Sequence, residues 1–481
     1  MGGGTTTGGT TTPSSGGTTN GGTTTGGAGT SGGSTTSTGG TTPGGGSTGS
    51  SDGYKPRVIA TTDGEVDDRS SMVRFLMYSS DYEVVGISQN NSIFQKSGHS
   101  KDGWMEKEIG LYGQVYPNLK KHHPGFPEPA ALSAVVVVGN ENQADLQTPP
   151  PSMATKDTAG SNLMIKTLLD KDPRPVHIPS WGGANTTAYA LWKLKTAHTP
   201  EEYKYAASRI WLYGICYNLT NKAQDGGFQW IIDNIPDAKI YPATSWAKTW
   251  QYDSYDGARA AKSDNPADVQ EYMKPAWLNE NVKNGHGPLG AYTPQTYTSE
   301  GDTPSFLSLI DTGLDSHMDY RLGGWGGRAK VKSGNWFEDA LDDAGPSPKH
   351  SALYRWTIKA QTDFAARMDW CMASDYKGAN HQPIAKVTGG NKKSVAGGET
   401  VQLDASETTD PDGNGLSFKW WQYHEADSAS AKVTIANDTA KTGASFTAPS
   451  EPGKEVHIIL EVTDDGKPPL TRYQRVYVSI K

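Results

Sequence analysis

The sequence predicts an α/β domain with a mostly parallel sheet flanked by helices, followed by an all-β sandwich. Strand and helix patterns alternate from Arg57 to about residue 215, and short alternating runs bounded by turn residues take over after Pro383. The first 52 residues carry almost none of the apolar side chains that either fold requires.

Residues 1–52 are nearly all Gly, Thr and Ser with a few Pro, so nothing offsets chain entropy and they read as a disordered linker. Linkers of this composition join modules of extracellular enzymes that work on insoluble material. A tethered N-terminal module absent from this chain is therefore expected, with substrate anchoring as its task. Met1 is followed directly by Gly and Thr, and the chain is expected to begin inside a longer, secreted precursor.

The α/β domain is expected over 53–380. PRVIATT reads as a buried strand, and VDDRSSMVRFLMYSS places Val66, Met72, Val73, Phe75, Leu76 and Met77 on a helical stripe. EVVGIS is a second strand; SNLMIKTLLDKD a helix; PVHIPSW a strand; NTTAYALWKLK a helix; and RIWLYGI a strand. Parallel sheets bind ligands at the carboxyl ends of their strands, which puts residues 61–69, 180–186 and the loop after Ile215 on one rim. The sandwich is expected over 381–481, with strands in GETVQLDAS, LSFKWWQY, KVTIAN, ASFTAPS, VHIILEVTDDG and RYQRVYVSIK. On a strand Trp420 and Trp421 must face opposite ways, one into the core and one toward the first domain or a glycan.

Net charge is -8 and the basic residues form no stripe, which excludes nucleic acid and an anionic membrane surface as partners. No stretch approaches the roughly 20 apolar residues of a membrane helix. The 14 Trp and 22 Tyr suit both sugar stacking and core filling. Cys216 and Cys371 allow one long-range bridge or two buried thiols.

TTDGEVDD crowds Asp63, Asp67 and Asp68 onto a strand-to-helix loop with Glu65 between them. Such crowding is relieved by a hard cation such as Ca²⁺ or Mg²⁺; equally, Asp67 and Asp68 could simply favour a helix N-terminus. In the sandwich, Asp410, Asp412, Asp464 and Asp465 resemble acidic cadherin-type loops or ordinary Asp-Gly turns.

IATTDGEVDD resembles the nucleoside hydrolase signature DxDPGxDD. The resemblance implies Ca²⁺ ligands at Asp63 and Asp68 and a water-activating base at Asp67. The family's first aspartate is Thr61 here, and its Pro-Gly pair is Gly64 and Glu65. The run WGGANT resembles the family's TGPLTN loop, which implies that the Trp181 carbonyl ligates calcium. EGDTPSF implies Asp302 as the last ligand, with Gly301 where the family often has a leaving-group histidine. DGEVDDRSSMVRFL, WGGANT, EGDTPSFL, GGWGGR, DFAARMDWC, DPDGNGLSFKWWQY and VTDDGKPPLTRYQR are similar to the branch called cellulose-binding protein, from about Arg57 to the C-terminus, which implies a nucleoside-hydrolase-like α/β domain followed by an immunoglobulin- or cadherin-like sandwich.

That resemblance implies a carbohydrate-active protein acting on plant cell-wall polysaccharide or oligosaccharide through a calcium-polarised water, with inversion. The rivals are a non-catalytic cellulose or glycan binder with a structural calcium, and a nucleoside N-ribohydrolase. Asn90, Asn91, Asn185 and Glu300 are candidate substrate contacts. Trp325, framed by glycines in GGWGGR, is a candidate stacking platform with Arg328 beside it. Glu65, His99, Asp225 and Glu300 are candidates for the general acid.

Overall fold

The computed structural model describes residues 54–215, 225–244, 266–294, 300–343 and 351–481. The Gly/Thr/Ser-rich stretch, the loop after Ile215 and Cys216 lie outside these residues. Strands β1 (Arg57–Thr62), β2 (Glu83–Gln89), β3 (Val136–Val138), β4 (Val176–Ser180), β5 (Ile210–Ile215) and β6 (Lys239–Ala243) pair in parallel. The hairpin β7 (Ala329–Ser333) and β8 (Trp336–Asp339) closes the edge, giving the order β3-β2-β1-β4-β5-β6-β8-β7.

Helices α1 (Val66–Met77), α2 (Trp104–His122), α3 (Pro129–Ser133), α4 (Ala159–Leu168), α5 (Asn185–Ala197), α6 (Pro200–Ser208) and α7 (Gly227–Asn234) connect the strands, and a long helix, Ser351–Trp370, leads out of the domain. Successive strand residues point to opposite faces, so β1 feeds two cores. Val58 and Ala60 pack with Phe75, Leu76 and Trp181 on one side, whereas Ile59 packs with Met164, Leu168 and Leu191 on the other. All six residues of β1 are buried, as expected for a parallel strand covered on both faces.

Beyond it lie β9 (Lys392–Val395), β10 (Thr400–Asp404), β11 (Leu416–Gln422), β12 (Thr442–Thr447), β13 (Glu455–Asp464) and β14 (Thr471–Ile480). β11, β13, β14 and β9 form one sheet and β10 and β12 the other. KVTIAN forms no strand; its backbone contributes a single bridge, Ala436 to Ser445, and the additional strand is β9. Trp420 fills the sandwich core, and Trp421 turns toward the first domain, 6.0 Å from Trp356 with the Arg355 guanidinium 4.8 Å from its ring.

The sandwich loops use their acids as turns. Asp410 Oδ1 accepts from the N–H groups of Asp412 and Asn414, and Asp464 Oδ1 from those of Gly466 and Leu470. Cys371 is a free, buried thiol. Among the described residues no helix is long and apolar enough to cross a membrane.

Candidate metal and hydrolytic site

The site begins where β1 runs out of sheet. Thr61 spends its groups on β4: its hydroxyl donates to Ser180 Oγ at 3.1 Å, and its carbonyl accepts from Trp181 N at 2.8 Å. The next residues fold back on α1. Asp68 Oδ1 accepts from Thr62 Oγ1 at 2.5 Å, Asp63 N at 3.0 Å and Gly64 N at 3.4 Å, and Asp63 Oδ1 accepts from Glu65 N at 3.2 Å. Gly64 makes the reversal at φ +74°, where a Cβ would stand 2.8 Å from His99 Cβ and 2.9 Å from Trp104 Nε1. Gly182 lets the β4 loop press on the same turn, because a Cβ there would stand 2.8 Å from Asp63 Cβ.

Asp302 arrives from a distant segment. Arg74, wholly buried on α1, pairs with Glu300 through Nε–Oε2 at 2.5 Å and Nη2–Oε1 at 3.1 Å, and Thr303 Oγ1 donates to the same carboxylate. Trp181 Nε1 donates to Ser305 Oγ, which donates to the Asp302 carbonyl, so the β4 loop is stitched to this segment too. The result brings one oxygen each of Asp67, Asp68 and Asp302 within 4.8 Å of one another. Asp302 Oδ2 is buried with no hydrogen-bond partner.

These carboxyls are all pushed above the ordinary carboxylate range. Burial is the main cause for Asp67, raised to about 8, with Glu65 and Asp63 adding repulsion. Burial also raises Asp68, with Asp63, Asp302 and Asp67 reinforcing it, and Asp302, with Asp67, Asp63 and Glu65 reinforcing it. Asp63 is raised by burial, against hydrogen bonds from Ser92, Asp68 and the Glu65 backbone. The nearby arginines are engaged elsewhere, Arg69 with the Gly64 carbonyl and Asp102, Arg74 with Glu300. Buried, mutually repelling oxygen donors with one oxygen unpaired fit a hard divalent cation. Asp67 and Asp68 do occupy the first turn of α1, yet Asp68 bonds backward to N–H groups outside the helix, so helix capping does not account for it.

The chain matches known proteins over both of its domains. Residues 57–329 match the family described as "Cellulose-binding Sde182, nucleoside hydrolase-like domain", and residues 400–480 match "Cellulose-binding protein Sde0182, C-terminal domain". The chain belongs to this family. A solved nucleoside hydrolase-related protein from Saccharophagus degradans, described as associated with carbohydrate metabolism, is 32% identical; 89% of this chain and 100% of that chain are covered, with a TM-score of 0.73. A plant nucleoside hydrolase is a remoter match, 11% identical over 64% of this chain and 99% of its own, with a TM-score of 0.28. No curated protein sequence matches the chain.

Within this family member the remaining sequence-derived positions divide sharply. Asn90 is 1% exposed; its Oδ1 accepts from Ser88 Oγ and Thr186 Oγ1, joining β2 to the β4 loop. Asn91 accepts Gly183 N on its carbonyl and donates Nδ2 to the Lys96 carbonyl. Asn185 donates Nδ2 to the Asp145 carbonyl and its N–H to Asp225. These asparagines, which the sequence suggested as substrate contacts, are buried and bonded to the protein around the rim, with Asn185 Oδ1 left without a hydrogen-bond partner.

Trp325 is corrected most clearly: its ring is 1% exposed, packed in the core with Arg472 5.3 Å from the ring, and presents no face to a sugar. Arg328 is tied to Asp342 at 2.7 Å and to the Leu341 carbonyl, and Glu300 is committed to Arg74.

Of the general-acid candidates, Asp225 accepts backbone N–H groups from Asn185 and Gly227 and so holds two helix starts. His99 bonds Asp102 and Gln95. Glu65 alone is on the acidic loop and partly exposed, its carboxyl raised by burial and by Asp63. Sequence reasoning missed Arg74. The signal was there, a lone arginine inside the apolar run MVRFLM, since a charge on a buried stripe requires a partner.

Proposed function

We propose that this chain is a secreted, calcium-dependent hydrolase of glycosyl bonds in plant cell-wall polysaccharide or oligosaccharide. The observation that carries the reading is the convergence of Asp67, Asp68 and Asp302, with the unpaired Asp302 Oδ2 among them. Asp68 and Asp302, with Asp63 and the Trp181 carbonyl, would hold one Ca²⁺. When bound, the ion supplies a fixed positive charge and Lewis acidity.

Asp67 takes the proton of the attacking water on its carboxylate, and Glu65, the half-buried acid of the same loop, gives a proton to the leaving oxygen. Attack by water without a covalent intermediate at an oxocarbenium-like carbon predicts inversion. A glycan is favoured over a nucleoside by the family's cellulose-binding description and by the carbohydrate association of the Saccharophagus relative. Gly301 stands where the resemblance expects a leaving-group histidine, which removes a proton donor for a nucleobase. The Gly/Thr/Ser-rich stretch supports an extracellular setting and a tethered anchoring module.

The test is a panel of cell-wall polysaccharides, oligosaccharides and nucleosides, with Ca²⁺ or chelator, for the wild type and Asp67→Asn. Turnover lost in both treatments, with Ca²⁺ binding retained by Asp67→Asn, is the expected result. Loss of Ca²⁺ binding in that variant would make Asp67 a ligand. Adsorption to cellulose without released sugar, unaffected by the substitution, would make the protein a binder.

A further inference from the structure

β11 is the outermost strand of its sheet, and the segment beside it, KVTIAN, does not extend that sheet. The segment is tied to β11 near its two ends. Gln422 Oε1 accepts from Val433 N at 2.7 Å while Gln422 Nε2 donates to the Ala431 carbonyl, and Trp420 N donates to the Asp438 carbonyl at 2.6 Å. Between these ties Ala436 exchanges both of its backbone hydrogen bonds with Ser445 of β12, in the other sheet.

Drawn toward β12, the segment leaves the edge of β11, and a cleft of about 540 Å³ lies there, within the roughly 300–1,000 Å³ of small-ligand sites. The long helix supplies its wall through Arg355, which lies 4.8 Å from the Trp421 ring, donates to Asp342 Oδ2 at 3.2 Å and stands 3.6 Å from Glu425 Oε1. The lining is of mixed charge. The carboxylates of Asp343, Glu425 and Asp438 outnumber the cations of Arg355 and Lys432, and Lys432 is itself 3.7 Å from Asp343. Half-buried Trp421 and Val433 add apolar surface. Asp63, Asp67, Asp68 and Asp302 do not line it.

We propose that this cleft is a second glycan site, taking a short run of an uncharged polysaccharide chain. The proposal rests on the glycan reading above and adds to it a place that holds the chain without cleaving it. Sugar hydroxyls both donate and accept, so they meet carboxylates such as Asp438 and the Lys432 ammonium alike, with the stronger, charge-assisted kind of hydrogen bond. The C–H faces of a pyranose ring suit the apolar surface of Trp421 and Val433. A polyuronate would set its own carboxylates against the three in the lining, which disfavours it.

The test is calorimetric titration of the full chain with cellohexaose, xylohexaose and hexagalacturonate, in chelator so that the acidic site is not loaded, for the wild type, Lys432→Ala, Asp438→Ala and the double variant. At least one neutral hexasaccharide is expected to bind the wild type, with affinity about threefold lower in each single variant and about tenfold lower in the double. Both side chains are exposed, so melting temperatures are expected to match the wild type. Neutral-glycan binding undiminished in the double variant overturns the cleft and leaves the glycan reading standing. Absence of binding in chelator, with turnover of a neutral glycan in Ca²⁺, does the same. Preference for hexagalacturonate overturns the uncharged chain. Neither binding nor turnover of any neutral glycan overturns the glycan reading and the cleft with it.

Discussion

Two buried clusters of acid lie in this molecule, and they are built on opposite principles. At the junction of the long helix and the sandwich, Asp363 accepts from Arg472 Nη1 at 2.7 Å, Arg367 Nε at 3.1 Å, Tyr78 OH at 2.8 Å and Gln382 Nε2 at 3.0 Å. Although burial opposes it, Arg472 and Arg367 hold its carboxyl below the ordinary range. At the strand-end rim, Asp63, Asp67, Asp68 and Asp302 are also buried, Asp67, Asp68 and Asp302 converge, and all four carboxyls are pushed up. Burial alone therefore does not distinguish structure from function. What distinguishes them is the company each carboxyl keeps: arginines surround Asp363, whereas the rim aspartates crowd one another.

The largest expected effect breaks the paired cluster. Asp363→Leu leaves Arg472 and Arg367 buried without their shared partner, at a cost of about 3–5 kcal/mol. The melting temperature should fall steeply and equally with Ca²⁺ or chelator. An effect that depended on Ca²⁺ would show that the two clusters are not separate.

At the rim the sign should reverse. Asp302→Asn removes one of the repelling carboxylates, so in chelator the variant should be at least as stable as the wild type. In Ca²⁺ it should lose the wild type's stabilisation, which at a hundredfold excess over Kd is about 2.7 kcal/mol. Melting curves with and without Ca²⁺ check both halves. A variant destabilised in chelator would mean that Asp302 serves the fold.

The smallest effect is expected from pH at the junction. His381 is 4% exposed, stacked on Tyr376 at 3.6 Å and facing His122 at 3.0 Å, and burial followed by His122 lowers its pKa to about 3. The unfolded chain takes a proton near pH 6.5 that the folded chain refuses. This contribution is complete above pH 6.5 and is lost as pH falls toward 3. In chelator the raised rim carboxyls change stability in the opposite sense over that window, so the His381 part is read as a difference: relative to the wild type, His381→Phe should gain stability as pH falls. An unchanged difference would place the titration elsewhere.

Much of the first domain is legible because its pattern is local. β1, α1, β2, β4, α5 and β5 follow from apolar periodicity, and Asp63, Asp67 and Asp68 sit where a strand pattern yields to a helix pattern. β3 spans only three residues, β6 contains Pro242 and β7 is exposed beyond its first residue, so each gives a weak signal. The glycine frame of GGWGGR suggested an accessible tryptophan. Instead the sandwich covers that segment, with Arg475 donating to the carbonyls of Leu314, Leu322 and Gly323.

The sequence by itself determined the fold class, the two kinds of domain and the strand-end aspartates, because these depend on the periodicity and chemistry of neighbouring residues. The resemblance of EGDTPSF already pointed to Asp302; its meeting with Asp67 and Asp68 beside the Arg74–Glu300 pair, and the burial of Asn90, Asn91, Asn185 and Trp325, are visible only in the tertiary structure. Contacts across 226 residues, such as Arg74 to Glu300, leave no periodic trace in the chain; they exist only once the sheet has brought both segments to one edge.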